Sequence, residues 1–455
     1  MREKKGSAGI VILVVLIVIV AAMGYLYNSV MFERNAPKIN IANKIDWNLK
    51  KPLNLNIKDD SGIKFVRIRL SDGKNSILLS KQLYQNSQKN LDLEIKFPRT
   101  GFVSTKRRFK LSIEAVDTSK WNFLSGNSAI KEVIIKIDRK KPELYIVNNS
   151  YKIIKGGVAT VVFKAKDTNL KELYIETNYG KKFYPTPFYK DDYYISLVAW
   201  PSSEKRFKAT IIAKDSAGNI SKSKIRLYLK NKKYKLSKIT LKDNFLDGKI
   251  SDLVEEFKPE FTNSSKIEKF KIVNETMRKE NENLIEKITS KTDTHIIRDF
   301  RITPFYPLKN AAAVASFGDH RYYYYKGNLI SESYHLGLDL ASTAGAKIKT
   351  QNRGKVVFAD LNGIYGNNLI IYHGLGIYSL YGHCSSFLTA TGETVKPNQV
   401  IAKTGTTGLA LGDHLHFGIL LQGVEVRPEE WMDKKWMKES IFDIIKSAKK
   451  IIDRK

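Results

Sequence analysis

Residues 412–421, GDHLHFGILL, decide how this chain is interpreted. An apolar run that follows a glycine turn predicts a β-strand, and residues two apart in a strand point to the same face. His414 and His416 therefore face one space, in a chain that contains only 7 histidines. Alone, such an H-x-H pair in a strand is more often structural than part of a metal site.

Two further histidine segments lie upstream in the same glycine-rich region. SYHLGLDLA (333–341) contains His335 and Asp339, and YSLYGHCSS (378–386) places His383 after a predicted strand. A catalytic zinc site takes three nitrogen or oxygen ligands from the protein and keeps a fourth position for water. His335, Asp339 and one histidine of the H-x-H pair would supply such a set. The remaining histidines could then move protons or stabilise an oxyanion.

The order of these segments resembles the lysostaphin/LytM-type zinc peptidases, which cut peptide bonds in peptidoglycan. H-x-x-x-D, Tyr-x-His and H-x-H occur in that order, with GKVV, YGN and TGTTG between them, over about residues 310–430. The resemblance implies an antiparallel β-sheet domain whose groove holds one Zn²⁺ and the peptide. It further implies that the zinc ligands are His335, Asp339 and His416. The catalytic histidines it implies are His383 and His414.

Two positions depart from the family pattern. Cys384 stands where an apolar residue is usual, and as the single cysteine it excludes disulfides and Cys-rich metal sites. Asp413 stands where proline is common, and it could alter the loop or hydrogen-bond a catalytic imidazole. We assign no catalytic part to the other three histidines, which are His295, His320 and His373.

The N-terminus predicts a membrane anchor. Residues 10–27 form an uncharged apolar run, and about 18 such residues just span a bilayer as a helix. Arg2 and Lys4 lie in the preceding segment 1–9, so the positive-inside rule keeps this tail cytoplasmic and exports the rest. A cleaved signal peptide is the alternative. We therefore expect a single-pass membrane protein with its catalytic part on the periplasmic or cell-wall side, and no nucleic acid partner.

The rest of the chain predicts a mainly β, multidomain protein. Short alternating runs and a weak repeat, RFKLSIEAVDTSKWN and RFKATIIAKDSAGN, predict two Ig-like β-sandwiches at 36–139 and 140–232. Residues 236–300 predict a helical connector, or alternatively a segment that packs over the groove and regulates access. The peptidase domain is predicted at 301–433. A basic helix at 434–455 would dock on that domain or, alternatively, on a membrane surface.

Charge is concentrated in the middle of the chain. Residues 36–240 carry 43 Lys+Arg against 18 Asp+Glu, whereas residues 301–433 carry 11 against 10. A Lys-rich surface can simply favour solubility, or it can bind an anionic wall polymer or anionic lipid.

The function expected from the sequence is zinc-dependent endopeptidase activity on peptidoglycan cross-links or stem peptides. Two alternatives stay open: a non-catalytic LytM-like regulator that activates another hydrolase, and a wall-binding scaffold.

Overall fold

A computed structural model describes residues 7–97 and 106–454. The described residues form two compact units. The first comprises the chain up to Lys141 together with Asn169–Lys171 and Lys214–Ile220, and the second comprises the remainder.

The chain begins with helix α1 (Ser7–Asn28), which covers the predicted span 10–27. Residues Gly9–Asn28 have a mean hydropathy of 3.0 and none of this stretch is buried. By length and composition the helix can cross a membrane, a test that a signal sequence near an N-terminus also passes. Residues 1–6 of the predicted cytoplasmic tail lie outside the described residues.

The first module, predicted at 36–139, forms one six-stranded sheet in the order β1-β3-β5-β6-β2, with β4 pairing β3. Its elements follow in chain order: β1 (Lys38–Asn40), β2 (Lys44–Trp47), β3 (Leu53–Ser71), β4 (Ser76–Ile95), β5 (Arg108–Asp117), α2 (Trp121–Leu124) and β6 (Ser128–Ile137). Alternating apolar residues of β3, β5 and β6 build the core, as the period of two requires. Residues 98–105 of the predicted module are not among those described.

The second module, predicted at 140–232, contains two four-stranded sheets, β11-β10-β14-β15 and β12-β13-β9-β7, and a parallel pair, β8 and β16. Its strands are β7 (Glu143–Asn149), β8 (Lys152–Ile154), β9 (Val158–Lys166), β10 (Leu170–Thr177), β11 (Lys182–Phe183), β12 (Thr186–Pro187), β13 (Tyr193–Ala199), β14 (Ala209–Asp215), β15 (Ile220–Lys224) and β16 (Tyr228–Lys230). Both modules are β-structures, and their assignment as Ig-like stays a prediction.

The segment 236–300 differs from the predicted helical connector. It opens with a strand, β17 (Leu236–Thr240), which pairs in parallel with a strand of the C-terminal sheet system. Helical structure then runs from Asp243 to Thr289: α3 (Asp243–Phe245), a π-helix (Leu246–Ile250), α4 (Ser251–Phe257), α5 (Lys266–Lys271), a π-helix (Ile272–Met277) and α6 (Arg278–Thr289). Its apolar face packs into one cluster with the C-terminal sheets, where Phe270 meets Tyr323 edge to face at 5.1 Å. The predicted helices are therefore present, and their apolar face packs on the C-terminal sheets.

The C-terminal sheets hold the histidine segments. An eight-stranded sheet has the order β18-β21-β29-β25-β24-β23-β27, with β30 on β29, and two three-stranded sheets have the orders β17-β19-β20 and β22-β28-β26. The strands are β18 (Ala312–Ala315), β19 (Asp319–Tyr325), β20 (Asn328–His335), β21 (Leu338–Ala341), β22 (Lys347–Lys349), β23 (Gly354–Leu361), β24 (Asn367–Tyr372), β25 (Ile377–Cys384), β26 (Ser386–Phe387), β27 (Thr394–Val395), β28 (Val400–Lys403), β29 (Leu415–Leu421) and β30 (Val424–Val426). Every residue of β25 and β29 is buried. These two central strands therefore form a rigid support for the residues at their ends.

The C-terminal segment forms α7 (Pro428–Met432), α8 (Lys434–Met437), a π-helix (Lys438–Phe442) and α9 (Asp443–Asp453). The expectation that residues 434–455 dock on the peptidase domain needs correction, because they pack against the second module. Ser150 Oγ donates to the Ser440 carbonyl at 2.9 Å, and Tyr189 OH donates to Asp453 at 2.8 Å. Since Ile445 of α9 is buried there, that apolar face is already covered.

Candidate metal centre and groove

Strand pairing brings the candidate metal ligands together. In the antiparallel pair β21–β29, Asp339 lies directly opposite His416. His335 ends β20, and the short connection through Gly337 leads straight into β21. On the other side of β29, Gly382 of β25 also lies opposite His416. Residues separated by about 80 positions in sequence therefore meet at one end of the sheet.

Three side chains converge within hydrogen-bonding distance. Asp339 Oδ1 lies 2.8 Å from His416 Nδ1 and 3.0 Å from His335 Nε2, and the two ring nitrogens lie 3.2 Å apart. All three residues are buried. Their ligand atoms lie within 4.8 Å of one another, so the group could hold a metal ion.

The chemistry of this group fits a metal. His335 Nδ1–H donates to the Ser316 carbonyl at 3.0 Å, which fixes the ring and turns Nε2 toward Asp339. Burial raises the pKa of Asp339, but the imidazoles of His335 and His416 beside its Oδ1 outweigh burial and hold that pKa well below its usual range. Two imidazoles and one carboxylate form a common ligand set of catalytic zinc sites.

A bulge brings His383 into the same groove. Regular alternation would point His383 away from the face of Gly382 and His416. The pairing of β24 with β25 shifts register here, and His383 has φ +63°, in the left-handed region that non-glycine residues rarely adopt. The shift re-aims the imidazole, which lines the groove with His416. A strained backbone at such a position is typical of functional residues.

The two candidate catalytic histidines are held in the same way. His383 Nδ1–H donates to the Thr407 carbonyl and His414 Nδ1–H donates to the Gly412 carbonyl, both at 2.8 Å. Their ring centroids lie 4.8 Å apart, and His414 Nε2 is 3.7 Å from Asp339 Oδ1. Each ring therefore keeps Nε2 for a ligand. Burial, aided by the neighbouring imidazoles, lowers the pKa of His383 to about 3, so this ring is neutral.

The groove around these five side chains is an open cavity of about 670 Å³. Tyr365 also lines it, with its ring edge-on to His416 at 5.5 Å. Four basic residues from outside the histidine segments also line the cavity, and the sequence did not single them out: Lys235, Lys238, Arg278 and Arg321. No local motif marks them, because they reach the groove through long-range pairing and packing.

The two departures from the family pattern leave the candidate ligands in place. Cys384 is fully buried, and burial raises the pKa of its thiol to about 12, so the residue behaves as a small apolar side chain. Asp413 accepts hydrogen bonds from Thr404 Oγ1 and the Gly345 amide, and it thereby ties two loops together. Among the described residues, no hydrogen bond joins Asp413 to an imidazole.

The remaining histidines lie apart from this group. His373 is held at both ring nitrogens, by the Arg353 carbonyl at 2.9 Å and Ser379 Oγ at 2.7 Å. His320 pairs with Glu332 at 3.0 Å. His295 is exposed on a loop.

Comparison with known proteins identifies the C-terminal region. Residues 333–428 match the model of peptidase family M23. The DD-carboxypeptidase/endopeptidase Mpg of Neisseria meningitidis is 36% identical over 94 residues, 21% of this chain and 22% of that protein. The murein hydrolase activator EnvC of Escherichia coli is 34% identical over 98 residues, 22% of this chain and 23% of that protein. A crystal structure of a putative M23 peptidase from Pseudomonas aeruginosa matches 61% of this chain and 94% of its own, with 20% identity and a TM-score of 0.34.

These matches are local. The chain spans less than a quarter of the length of the two curated relatives. Within that limit, the chain carries an M23 peptidase domain at residues 333–428 and is related there to peptidoglycan endopeptidases and a murein hydrolase activator.

Proposed function

From the M23 domain, we propose that this protein is a zinc-dependent endopeptidase that hydrolyses peptide bonds in peptidoglycan cross-links or stem peptides. The observation that carries the proposal is the convergence of His335, Asp339 and His416 beside two imidazoles in one open groove. A named endopeptidase among the relatives supports the reaction class.

We assign the metal to His335 Nε2, Asp339 Oδ1 and His416 Nδ1. A zinc ion bound there would lower the pKa of a coordinated water from 15.7 toward about 7 and polarise a peptide carbonyl. His383 and His414 each have Nδ1–H tied to a backbone carbonyl. Proton transfer and hydrogen bonding to substrate therefore run through their Nε2 atoms, which suits one ring to take a proton and the other to stabilise developing negative charge.

The competing function is that of a regulator without catalytic activity. This alternative is supported by the relative that is named a murein hydrolase activator. A surface that only binds another hydrolase has no need of three converging ligand atoms and two oriented imidazoles. The geometry therefore favours the enzyme.

The test measures metal content and wall digestion on the same preparations. Purified protein should contain about one zinc per chain and release peptides from purified wall, identified by mass spectrometry. His416→Ala should lose the metal. His414→Ala should keep the metal and lose about 10²- to 10⁴-fold in rate, the range for a removed general acid–base group. His295→Ala, an exposed histidine, is the control and should change neither quantity.

A protein that binds no zinc and digests no wall would instead be a regulator. Wall digestion that is unchanged in His414→Ala and His416→Ala would refute the assigned site. In the proposed arrangement α1 anchors the chain as a single-pass protein, and the catalytic part faces the wall.

The basic region 36–240 would then contact an anionic wall polymer or anionic lipid. Binding of the full chain to purified wall at two salt concentrations tests this contact. Salt-insensitive binding would remove the electrostatic explanation.

A further inference from the structure

One wall of the groove is basic although residues 301–433 are almost neutral. Lys235 immediately precedes β17, Lys238 lies within it, Arg278 begins α6, and Arg321 lies on β19. All four residues line the cavity that holds the candidate metal ligands. Strand alternation places Lys235 on the face of Ser237 and Arg321, which line the cavity, and Lys238 on the opposite face, beside Tyr322. None of the four lies within residues 333–428, the stretch that matches the M23 model.

The wall is held by backbone pairing and by side-chain hydrogen bonds. β17 pairs in parallel with β19, with Lys238 opposite Tyr322. Arg278 donates to Asn274 twice, to its carbonyl at 3.1 Å and to its Oδ1 at 3.0 Å. These contacts position the cations before any ligand arrives, which lowers the cost of binding an anion.

The positive charge of this wall is only partly neutralised. Arg321 has a carboxylate neighbour, Asp319 at 3.4 Å. Across residues 7–97 and 106–454, no carboxylate oxygen forms an ion pair with Lys235 or Lys238. The carboxylate of Asp413, which also lines this cavity, accepts hydrogen bonds from the Gly345 amide and from Thr404 Oγ1. Lys235, which is exposed, therefore lies on the cavity face without an ion-pair partner among the described residues.

We propose that this wall binds a carboxylate of the substrate, so that the preferred peptide carries a free carboxylate next to the bond that is cut. This inference rests on the proposed function, because it assigns the chemistry of the substrate for the same groove. Lysine ammonium groups bind carboxylates as compact point charges, and the contact strengthens in a partly enclosed site. Amidation of the carboxylate removes the charge and keeps its size.

The experiment uses two synthetic stem peptides of one sequence, with side carboxylates free or amidated. Wild-type protein should cut the free-acid peptide at least about tenfold faster in kcat/KM, mainly through KM. Lys235→Gln should lose this preference. Lys396→Gln, which removes the same charge outside the cavity lining, should keep it. Equal cleavage of both peptides by the wild type, or a preference that survives in Lys235→Gln, overturns the inference.

Binding of both peptides by calorimetry separates this inference from the proposed function. Tighter binding of the free-acid peptide without any cleavage would support the basic wall and refute the peptidase. Cleavage of both peptides with equal affinity would support the peptidase and refute the binding of a carboxylate by the basic wall.

A second observation concerns the short helix α2 of the first module. Its apolar side chains project outward, with Phe123 at 103% and Leu124 at 67% relative exposure. Asn122, Phe123 and Leu124 have φ of 50°, 55° and 66°, so three successive residues adopt the left-handed conformation that L-residues rarely use. Hydrogen bonds from Ser125 to Asn122 and from Gly126 to Trp121 close this turn. An exposed apolar tip on a strained backbone is typical of a contact surface.

This turn is tied to the end of α1. The Lys120 amide donates to the Met31 carbonyl at 2.7 Å, three residues beyond the helix. The Arg34 guanidinium lies over the rings of Tyr27 and Trp121, at 4.1 and 4.5 Å. Since Tyr27 belongs to the last turn of α1, the apolar tip is fixed beside the point where that helix ends.

We infer that α2 inserts Phe123 and Leu124 into the lipid headgroup region when α1 spans the membrane. Aromatic side chains are enriched at membrane interfaces, and apolar side chains gain by burial at the acyl boundary.

The test places the full chain in nanodiscs with brominated lipid. In a Trp121→Phe background, Phe123→Trp should be quenched by the lipid. Leu78→Trp, at an exposed position, should not be quenched. Leu78 pairs with Arg69, which lies opposite Ser112 of β5, and Ser112 is about 17 Å along that strand from its end at Asp117, near α2. Equal quenching at both positions, or none at 123, overturns the inference.

Discussion

Gly337→Ala tests whether the M23 groove depends on close packing around His416. Gly337 lies buried in the connection between His335 and Asp339. A Cβ added there would meet His416 Cε1 and Nε2 at 2.5 Å and the Phe417 carbonyl at 2.9 Å. The backbone of Gly337 is not in the left-handed region, so alanine strains this position only through that clash.

The size of the effect follows from these distances. Ordinary van der Waals contact begins near 3.4 Å, so the His416 ring must move by roughly 0.9 Å. Metal–ligand distances are held to within about 0.2 Å. A misplacement of about 1 Å in a catalytic site costs on the order of 100-fold in rate. We expect Gly337→Ala to lose at least about 100-fold in kcat/KM and at least about tenfold in zinc affinity.

The assay combines zinc competition titration, wall digestion and thermal unfolding. Gly248→Ala is the control, because Gly248 lies outside the groove lining and a Cβ there meets nothing within 4 Å. The control should keep wild-type zinc affinity and rate. If Gly337→Ala folds and also keeps both, His416 does not hold the metal in the arrangement described, and the assignment of the three ligands is refuted.

Two further predictions concern stability. Burial lowers the pKa of His373 to about 4, so the unfolded chain binds the proton more tightly than the folded chain does. The contribution of this histidine to the free energy of unfolding should therefore be full above pH 6.5 and fall by about 3 kcal/mol as the pH drops to 4. His373→Gln should flatten this pH dependence in thermal unfolding. Phe270→Ala should cost about 3–5 kcal/mol in denaturant titration, because its side chain is 1% exposed in the cluster between helices and sheets. Phe261→Ala, at 38% exposure, should cost well under 1 kcal/mol, and equal losses in the two variants would contradict the packing described.

Sequence reasoning reached the candidate site because its signals are local. The period of two in β29 predicts that His414 and His416 share a face, and the structure has both lining one groove. The pairing of Asp339 with His416 is different, since strand register depends on the whole sheet and no spacing between distant segments determines it. Alternation alone would also misplace His383, which enters the groove through a bulge and a left-handed backbone. The family resemblance, and not the strand periodicity, predicted His383 as a residue of the candidate site.

The amphipathic segments show a second limit. A helical pattern reveals an apolar face, but the partner that covers the face is a long-range property. For α9 the partner is the second module and not the predicted peptidase domain. In the segment 236–300 the strand β17 was missed, because a five-residue run with two lysines has little strand signal until it pairs with β19.

The position of β17 also bears on what similarity to a family can explain. The candidate metal ligands and imidazoles lie within residues 333–428, so the match to that stretch covers the five residues to which the proposed reaction is assigned. Lys235, Lys238 and Arg278 come from a layer outside it, and they line the same cavity. Discrimination between substrates depends on differences in binding at such positions and not on the shared reacting groups. Two proteins with the same five residues can therefore cut different peptides, and exchange of the layer 235–289, more than any change in the histidine segments, should transfer the preference.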